Sequence, residues 1–185
     1  MSVIESTTQI APAGTWAADP VHSHVSFEVA HAGVNTFRGS FADFSAVLVG
    51  GDEPELSGSA NVASVDVKDE QLNGHLQTPD FFDAARYPEI AFRASELHVL
   101  DGGRVAVNGE LTIKSVSAPI SLAGAVAPSP LVDPFGRERL GLRLEATIDR
   151  TVFGVSWNAP NQGGSDYLGT EVKLIAELAL VRQEA

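Results

Sequence analysis

Most of this chain alternates apolar and polar residues with a period of two, the pattern of β-strands that bury one face. The alternation is clearest in the segment 22–31, where Ser23, Val25, Phe27, Val29 and His31 share one face, which we expect to point inward. Comparable runs end at Val62, Ile113, Val126, Ile148 and Leu180. These runs predict about eight strands, without the helices that connect parallel strands. The pattern therefore predicts an antiparallel, all-β barrel.

Two runs change their inward face part-way along. In the segment 37–49, the apolar positions are odd up to Phe41 and even from Phe44 onward. A second change of parity separates Ala94 from Leu97. One extra residue in a strand produces such a change, so the first run predicts a single long strand with a β-bulge near Asp43.

The segment 66–88 does not alternate and predicts a helical insert in the β structure. A short helix is expected from Asp69 to Gln77, because Asp69 and Glu70 suit the positive end of a helix dipole. A second turn is expected to begin at Asp80, whose carboxylate can cap the amides of residues 81–83. The apolar side chains of the insert are Leu72, Leu76, Phe81 and Phe82. We expect them to face the barrel interior and to close one end of it.

The inward faces carry many small residues in mid-strand, which leaves two interpretations open. These residues are Gly39, Gly58, Ala60, Ala94, Gly109, Gly124, Ala146 and Ala176. Glycine inside a strand is unfavourable and needs a reason, such as a bend or the close approach of another group. Either the small residues leave an apolar hollow for a ligand, or the core is filled and each glycine lies at a bulge.

Composition and charge narrow the choice of partners and compartment. The net charge of −12 makes nucleic acid and anionic membrane surfaces poor partners. The chain has no cysteine, which excludes disulfides and thiolate metal sites. No apolar run reaches the roughly 18 residues of a membrane-spanning helix, and residues 1–14 do not resemble a signal peptide. We therefore expect a cytoplasmic protein without stable membrane insertion, with a flexible arm at 1–14 and one domain at 15–185.

Two pairs of polar residues suggest chemistry but have simpler explanations. His22 and His24 have the i, i+2 spacing of two zinc ligands, but no third ligand accompanies them, so strand-end hydrogen bonding is favoured. Asp80 and Asp83 could act as an acid and base pair. Carboxylates at turns are more often caps, and no nucleophile accompanies this pair. We predict neither a metal site nor catalytic residues.

Two residues near the end of the chain have alternative roles. Arg150 either forms a buried pair with Asp149 that holds a strand end, or is the cation near the head group of a ligand. Trp157 lies in a loop, 154–169, of a length that is usually functional or mobile. Its indole either closes one mouth of the barrel or packs over the rim.

Several motifs together resemble those of the YceI-like polyisoprenoid-binding proteins. The first is Asp19-Pro-Val-His22-Ser23-His-Val25-Ser-Phe27, followed by Gly39-Ser-Phe41. The second comprises His75-Leu76, Asp80-Phe81-Phe82-Asp83 and Tyr87-Pro88-Glu-Ile-Ala-Phe92. The third joins Gly109-Glu-Leu111-Thr112-Ile113 to Ala118-Pro119-Ile120-Ser-Leu122, and the last joins Ile148-Asp149-Arg150 to Phe153-Gly154. The resemblance runs from Trp16 to Leu180, and its specificity comes from the combination of motifs.

The resemblance implies an extended, lipocalin-like barrel that holds a long isoprenoid or acyl chain in an internal tunnel without catalysis. No cofactor is then required, and the bound molecule is a polyisoprenoid, an isoprenoid quinone or a fatty-acyl derivative. Exposed strand edges would permit a homodimer. The residues predicted to contact the ligand are Val25, Phe27, Val29, Phe41, Leu72, Leu76, Phe81, Phe82, Phe92, Ile113, Leu144, Ile148, Arg150, Phe153 and Trp157.

The chain departs from the family pattern at positions that bear on the head group of the ligand. Leu72 and Asn73 stand where relatives often carry an Arg-Asp pair, and Lys114 and Ala118 stand where a His and then an Arg or Lys are common. A diphosphate needs Arg or Lys partners or clustered amides, so we expect a neutral head such as a quinone, alcohol or amide. Two alternatives stay open: a protein-interaction module with a filled core, and an isoprenoid-modifying enzyme.

Overall fold

The structure is a computed structural model that describes residues 11–185. Within these residues the chain forms twelve strands in one antiparallel sheet, one α-helix and three 3₁₀ turns. The strands are β1 (Ala11–Ala18), β2 (His24–His31), β3 (Asn35–Phe41), β4 (Phe44–Gly51), β5 (Glu55–Asn61), β6 (Val65–Asp66), β7 (Glu89–Val99), β8 (Arg104–Ile113), β9 (Val116–Val126), β10 (Leu131–Val132), β11 (Glu138–Asp149) and β12 (Leu168–Arg182). The helix is α1 (Glu70–Leu76), and the 3₁₀ turns are Val62–Ser64, Asp101–Gly103 and Arg150–Phe153.

The sheet closes into a barrel because β11, next to one end of the strand order, also pairs with β12. One edge of β12 pairs with β11, and the other edge pairs with β1 near Leu180 and with β2 from Leu168 to Glu177. Around the closed barrel the order is β1, β4, β5, β7, β8, β9, β11 and β12. Beyond kinks in the chain, β2 continues β1, β3 continues β4, and β6 continues β5. A short hairpin joins β10 to β11. The predicted antiparallel barrel of about eight strands with a short helical insert is confirmed.

The predicted single strand 37–49 is wrong, because it consists of the two strands β3 and β4. The chain breaks at Ala42 and Asp43, whose amides donate to the backbone carbonyl (3.1 Å) and the hydroxyl oxygen (3.0 Å) of Ser64. β3 pairs with β2, whereas β4 turns to pair with β1. The change of inward face nevertheless lies where the sequence placed it. The second predicted change is confirmed by a register shift between Arg93 and Glu96.

The first strand begins earlier than the sequence predicted. Ala11 is buried and pairs with Gly51 of β4, so residues 11–14 belong to the barrel and not to an arm. The Trp16 indole donates a hydrogen bond to the carbonyl oxygen of Pro12 (3.1 Å), which fixes this end of β1. The sequence did not reveal it because Pro12 and Gly14 interrupt the strand pattern. The remaining part of the predicted arm, residues 1–10, lies outside the described residues.

The two halves of the barrel interior are packed differently. The base is the half that contains Trp16, Leu48, Val107, Leu140 and Leu180, and these side chains fill it with at most 1% exposure. The upper half is bordered by a second hydrophobic cluster, which includes the helical insert. A cavity occupies the upper half. Of the two interpretations of the core, the filled one is therefore correct for the base alone.

Five of the eight small inward residues do not line the cavity, which corrects the predicted origin of the hollow. A Cβ atom on Gly124 would lie 1.7 Å from the carbonyl oxygen of Arg143, and one on Gly109 would lie 2.7 Å from that of Arg93. These two glycines therefore permit the close approach of neighbouring strands. The members of the predicted set that line the cavity are Gly58, Ala60 and Ala176.

An ion-pair network holds the base together. The Arg139 guanidinium donates to the carboxylates of Asp19 (2.9 Å) and Asp133 (2.7 Å), linking the turn after β1 to the β10–β11 hairpin. Hydrogen bonds from His22 and then Arg139 hold the pKa of Asp19 well below its usual value, and Arg139 does the same for the pKa of Asp133. The network lies at the opposite end of β11 from the cavity.

Candidate functional site

A cavity of about 390 Å³ occupies the upper half of the barrel. Small-molecule sites in proteins have volumes of about 300–1,000 Å³, so this cavity has the size of a ligand site. Its wall is apolar almost throughout. Among residues 11–185, the wall residues with a polar group in the side chain are His31, His75, Arg150, Trp157, Tyr167 and four serines, and the serines alternate with the inward residues of their strands.

The structure brings nearly all of the predicted ligand-contacting residues together around this cavity. Those in its wall are Val25, Phe27, Val29, Phe41, Leu72, Leu76, Phe81, Phe82, Phe92, Ile113, Leu144, Ile148, Arg150 and Trp157. Phe153 is 2% exposed and belongs to the same hydrophobic cluster, but it does not line the cavity. Contact of these residues with a ligand stays a prediction.

Local capping places α1 against the cavity. The Asp69 carboxylate accepts a hydrogen bond from the amide of Leu72 (2.8 Å), which confirms the predicted start of the helix. The side-chain oxygen of Asn73 accepts one from the amide of Val67 (2.8 Å) and ties the helix to the preceding segment. Leu72 and Leu76, four residues apart on one face, then line the cavity.

The turn after α1 is closed by backbone carbonyls and not by the predicted aspartate cap. The Thr78 carbonyl oxygen accepts hydrogen bonds from the amides of Phe81 (3.0 Å) and Asp83 (2.9 Å). The prediction that the Asp80 carboxylate caps these amides is wrong, because its Oδ2 lies 3.0 Å from Nε2 of His75. A histidine one turn away competes with the amides for the carboxylate, and sequence spacing alone does not decide which partner binds it.

The two phenylalanines of this turn contact different parts of the cavity wall. Phe81 is 5% exposed, and its ring centroid lies 5.1 Å from that of His75 and 5.3 Å from that of Trp157. The ring of Phe82 packs against Phe41 of β3, with centroids 5.9 Å apart. Both rings line the cavity, and both also contribute to the hydrophobic cluster, so both face the barrel interior.

Arg150 is buried beside the cavity and fastens the long loop 154–169. Its guanidinium donates hydrogen bonds to four backbone carbonyl oxygens, which belong to Val155 (2.6 Å), Trp157 (2.9 Å), Leu168 (3.2 Å) and Gly169 (2.7 Å). A guanidinium has five N–H groups, so one N–H is left for another partner. Arg150 therefore acts mainly as a structural link between the loop and the start of β12.

The first of the two alternatives for Arg150, a buried pair with Asp149, is wrong. The Asp149 carboxylate accepts hydrogen bonds from the amide (2.9 Å) and the hydroxyl (2.6 Å) of Thr151, as a cap of the 3₁₀ turn. Burial lowers the pKa of Arg150, and the charges of Asp149 and Asp166 counter this effect in part. The local need for a cap therefore overrides the attraction between the two adjacent side chains.

Trp157 is held at the cavity wall by the loop that contains it. The Asn158 side chain donates to the carbonyl oxygen of Leu168 (2.8 Å) and accepts from its amide (2.9 Å), which closes the two ends of the loop. The indole packs against the ring of His75, with centroids 5.4 Å apart. Trp157 therefore contacts both the cavity and the helical insert.

Several wall residues were missed by the sequence analysis. The strand pattern already placed a set of them on inward faces: Ile90, Leu111, Ile120, Leu122, Val172 and Leu174. His31 shares the inward face predicted for 22–31, but its pairing with Tyr167 carried no signal, because 136 residues separate the two in the chain.

The polar residues that suggested chemistry have structural partners. Nδ1 of His22 lies 2.8 Å from the carboxylate of Asp19, and His24 is exposed at the start of β2. The carboxylate of Asp83 is buried and lies 3.4 Å from the guanidinium of Arg86. Residues 11–185 contain no group of three His, Cys, Asp or Glu side chains that could hold a metal ion.

Comparison with known proteins places this barrel in a family. A profile of the YceI-like domain matches residues 16–180. The chain belongs to the YceI-like family. Among YceI-like relatives, it is 27% identical over 173 residues to a UPF0312 protein of Vibrio parahaemolyticus, covering 88% of this chain and 89% of that protein. It is 28% identical over 138 residues to Protein YceI of Escherichia coli O157:H7, covering 72% and 71%.

Solved structures support the YceI-like fold. BcnA of Burkholderia cenocepacia superimposes with a TM-score of 0.74 at 24% identity, covering 90% of this chain and 99% of that one. A domain of Saccharophagus degradans, described as polyisoprenoid-binding, gives a TM-score of 0.64 at 15% identity, covering 95% and 100%. At these identities the likeness shows the fold. In the described part of this YceI-like chain, no helix has the length and apolar character needed to cross a membrane.

Proposed function

We propose that this YceI-like protein binds, stores or transports a long-chain apolar ligand, without catalysing a reaction, and that the cavity is a tunnel for the ligand chain. The candidate ligands are a polyisoprenoid, an isoprenoid quinone and a fatty-acyl derivative. The observation that carries the proposal is a cavity of about 390 Å³ with an almost entirely apolar wall. The description of the Saccharophagus degradans domain as polyisoprenoid-binding supports the first of these classes.

Burial of the chain is expected to dominate the affinity. Each buried methylene contributes about 0.8 kcal/mol, whereas an exposed ion pair contributes roughly 0–1 kcal/mol. A ligand that places a few isoprene units in the cavity therefore gains more binding free energy from its chain than from one charged contact. Chain length and branching should matter more than the head group.

The side chains around the cavity support an uncharged head group. Leu72, an uncharged residue, lies in the wall, and four N–H groups of Arg150 donate to backbone carbonyl oxygens. The Lys114 ammonium donates to the carbonyl oxygens of Gly154 (3.0 Å) and Pro79 (3.5 Å). A diphosphate would need these cations to be available as hydrogen-bond donors. The net charge of −12 also repels an anionic head group.

Organic extraction of the purified protein, followed by mass spectrometry of the extract, tests the proposal. We expect about one lipid with a long apolar chain per protein chain. An extract without lipid, together with no uptake of added farnesol, would contradict the proposed function.

A further inference from the structure

We propose that Tyr167 and His31 form the subsite for the polar end of the ligand, and that this end is an uncharged hydrogen-bond donor, such as a hydroxyl group. The inference rests on the proposed function. It adds the position and the hydrogen-bonding character of the head group, which the apolar wall does not determine.

Backbone pairing fixes the positions of both residues. His31 is the last residue of β2, and it pairs with Leu168, the first residue of β12, so Tyr167 immediately precedes that strand. The Tyr167 carbonyl oxygen accepts from the amide of Ala32 (2.6 Å), and its amide donates to the carbonyl oxygen of Ala159 (3.3 Å). The two side chains therefore meet at the cavity wall in a defined geometry, with ring centroids 4.8 Å apart.

The hydrogen bonds of the pair determine what it can offer a ligand. Nδ1 of His31 lies 3.0 Å from the side-chain oxygen of Asn35, which can only accept, so Nδ1 donates to it. In the tautomer with its single proton on Nδ1, Nε2 of His31 is an acceptor, and the Tyr167 hydroxyl, 2.9 Å away, donates to it. The Tyr167 proton is then engaged by Nε2, whereas the phenol oxygen keeps its lone pairs. It can therefore accept a hydrogen bond from a ligand and cannot donate one.

Most of the other polar groups of the wall have partners elsewhere. Four of the five N–H groups of Arg150 donate to carbonyl oxygens, and His75 is bound to Asp80 and flanked by aromatic rings. The four serines alternate along their strands with inward residues, and the hydroxyls of Ser45 and Ser59 lie 3.2 Å from each other. This leaves the Tyr167 oxygen as a group to which the ligand head can bind.

The acceptor character of this oxygen selects among neutral head groups. A hydroxyl donates to the Tyr167 oxygen, whereas a quinone carbonyl or an ester presents a second acceptor and gains no hydrogen bond. An anionic head would place a negative charge against the phenol lone pairs. The pair should therefore favour a prenyl or acyl alcohol, or a quinol, over a quinone or a phosphate ester.

The test measures binding of farnesol, of the hydrocarbon with the same skeleton but no oxygen, and of farnesyl methyl ether by calorimetry. The proteins are the wild type, Tyr167→Phe and the matched control Tyr87→Phe, whose ring stacks under Arg86 and does not line the cavity. One neutral hydrogen bond corresponds to a change of about 2-fold to 12-fold in Kd. We expect Tyr167→Phe to weaken the binding of farnesol by such a factor. The affinities for the hydrocarbon and for the ether should stay unchanged. Tyr87→Phe should change none of them.

The outcomes separate the inference from the proposed function. If the hydrocarbon binds but Tyr167→Phe leaves the affinity for farnesol unchanged, the subsite is refuted and the apolar cavity still stands as the binding site. If the ether loses as much affinity as farnesol, Tyr167 acts as a donor and the assigned head chemistry is wrong. If the wild type binds none of the three compounds, the proposed function fails and the inference fails with it.

Discussion

Replacing Ala176 with phenylalanine is expected to weaken lipid binding while it stabilises the ligand-free protein. Ala176 faces inward within β12, between Leu144 of β11 and Val25 of β2, and all three residues line the cavity. The added ring would therefore enter the space that we assign to the ligand. A substitution in a packed core is not expected to raise the stability of the ligand-free protein and at the same time to lower its affinity for a ligand.

The size of each effect follows from the cavity. A phenyl ring displaces about six ligand carbon atoms, and at about 0.8 kcal/mol per methylene the ligand loses up to about 5 kcal/mol. This corresponds to an increase in Kd of up to a few thousandfold. Filling a cavity commonly stabilises a protein by about 0.5–2 kcal/mol, so the ligand-free variant should unfold at a higher urea concentration.

Ala94→Phe is the matched control. Ala94 is also an inward alanine in mid-strand, but it is 3% exposed and belongs to the filled base. A phenyl ring has no space there, and overpacking should destabilise the protein by about 1–3 kcal/mol. Urea titration of both variants without ligand, and calorimetry of Ala176→Phe with farnesol, measure the two effects. Destabilisation of Ala176→Phe like that of Ala94→Phe, or an unchanged Kd for farnesol, would refute the reasoning.

Two further predictions concern charge. Leu72→Arg places a cation in the cavity wall and should raise the affinity for farnesyl diphosphate relative to farnesol by about tenfold or more, because hydrogen bonds to charged groups contribute about 1.5–3 kcal/mol. No relative gain in binding assays would argue against the head-group assignment. Since the pKa values of Asp19 and Asp133 lie below their usual 3.8, the Arg139 network should stabilise the fold above about pH 4 and lose this contribution as the pH falls toward the folded-state values. Urea titrations from pH 7 to pH 2 should show a shallower acid dependence for Arg139→Gln than for the wild type, and equal slopes would contradict the role of the network.

The barrel could be predicted because its main signal is local. A period of two determines which residues face inward, and a change of parity marks a kink wherever it occurs. The sequence therefore located the change of face at Asp43. It did not show that β3 and β4 separate there, because the bonds to Ser64 that divide them are not local.

The lining residues were predictable for the same reason, and the polar contacts were not. Inward parity and apolar character identified the predicted wall residues that lie on strands. The partners of Arg150 are backbone carbonyls, whose positions cannot be predicted from residue types. The partner of His31 is 136 residues away in the chain. Gly124 was misinterpreted because the sequence does not distinguish a glycine that opens space from one that lets a neighbouring strand approach.

Native mass spectrometry of the wild type and of Ala176→Phe, expressed in the same host, tests the central claim most directly. Occupation of the cavity by one long apolar chain predicts a wild-type mass that exceeds the polypeptide mass by that of a single lipid, and the loss of this excess in Ala176→Phe. Two bare polypeptide masses, or the same lipid retained by both proteins, would contradict the assignment of the cavity as the lipid site.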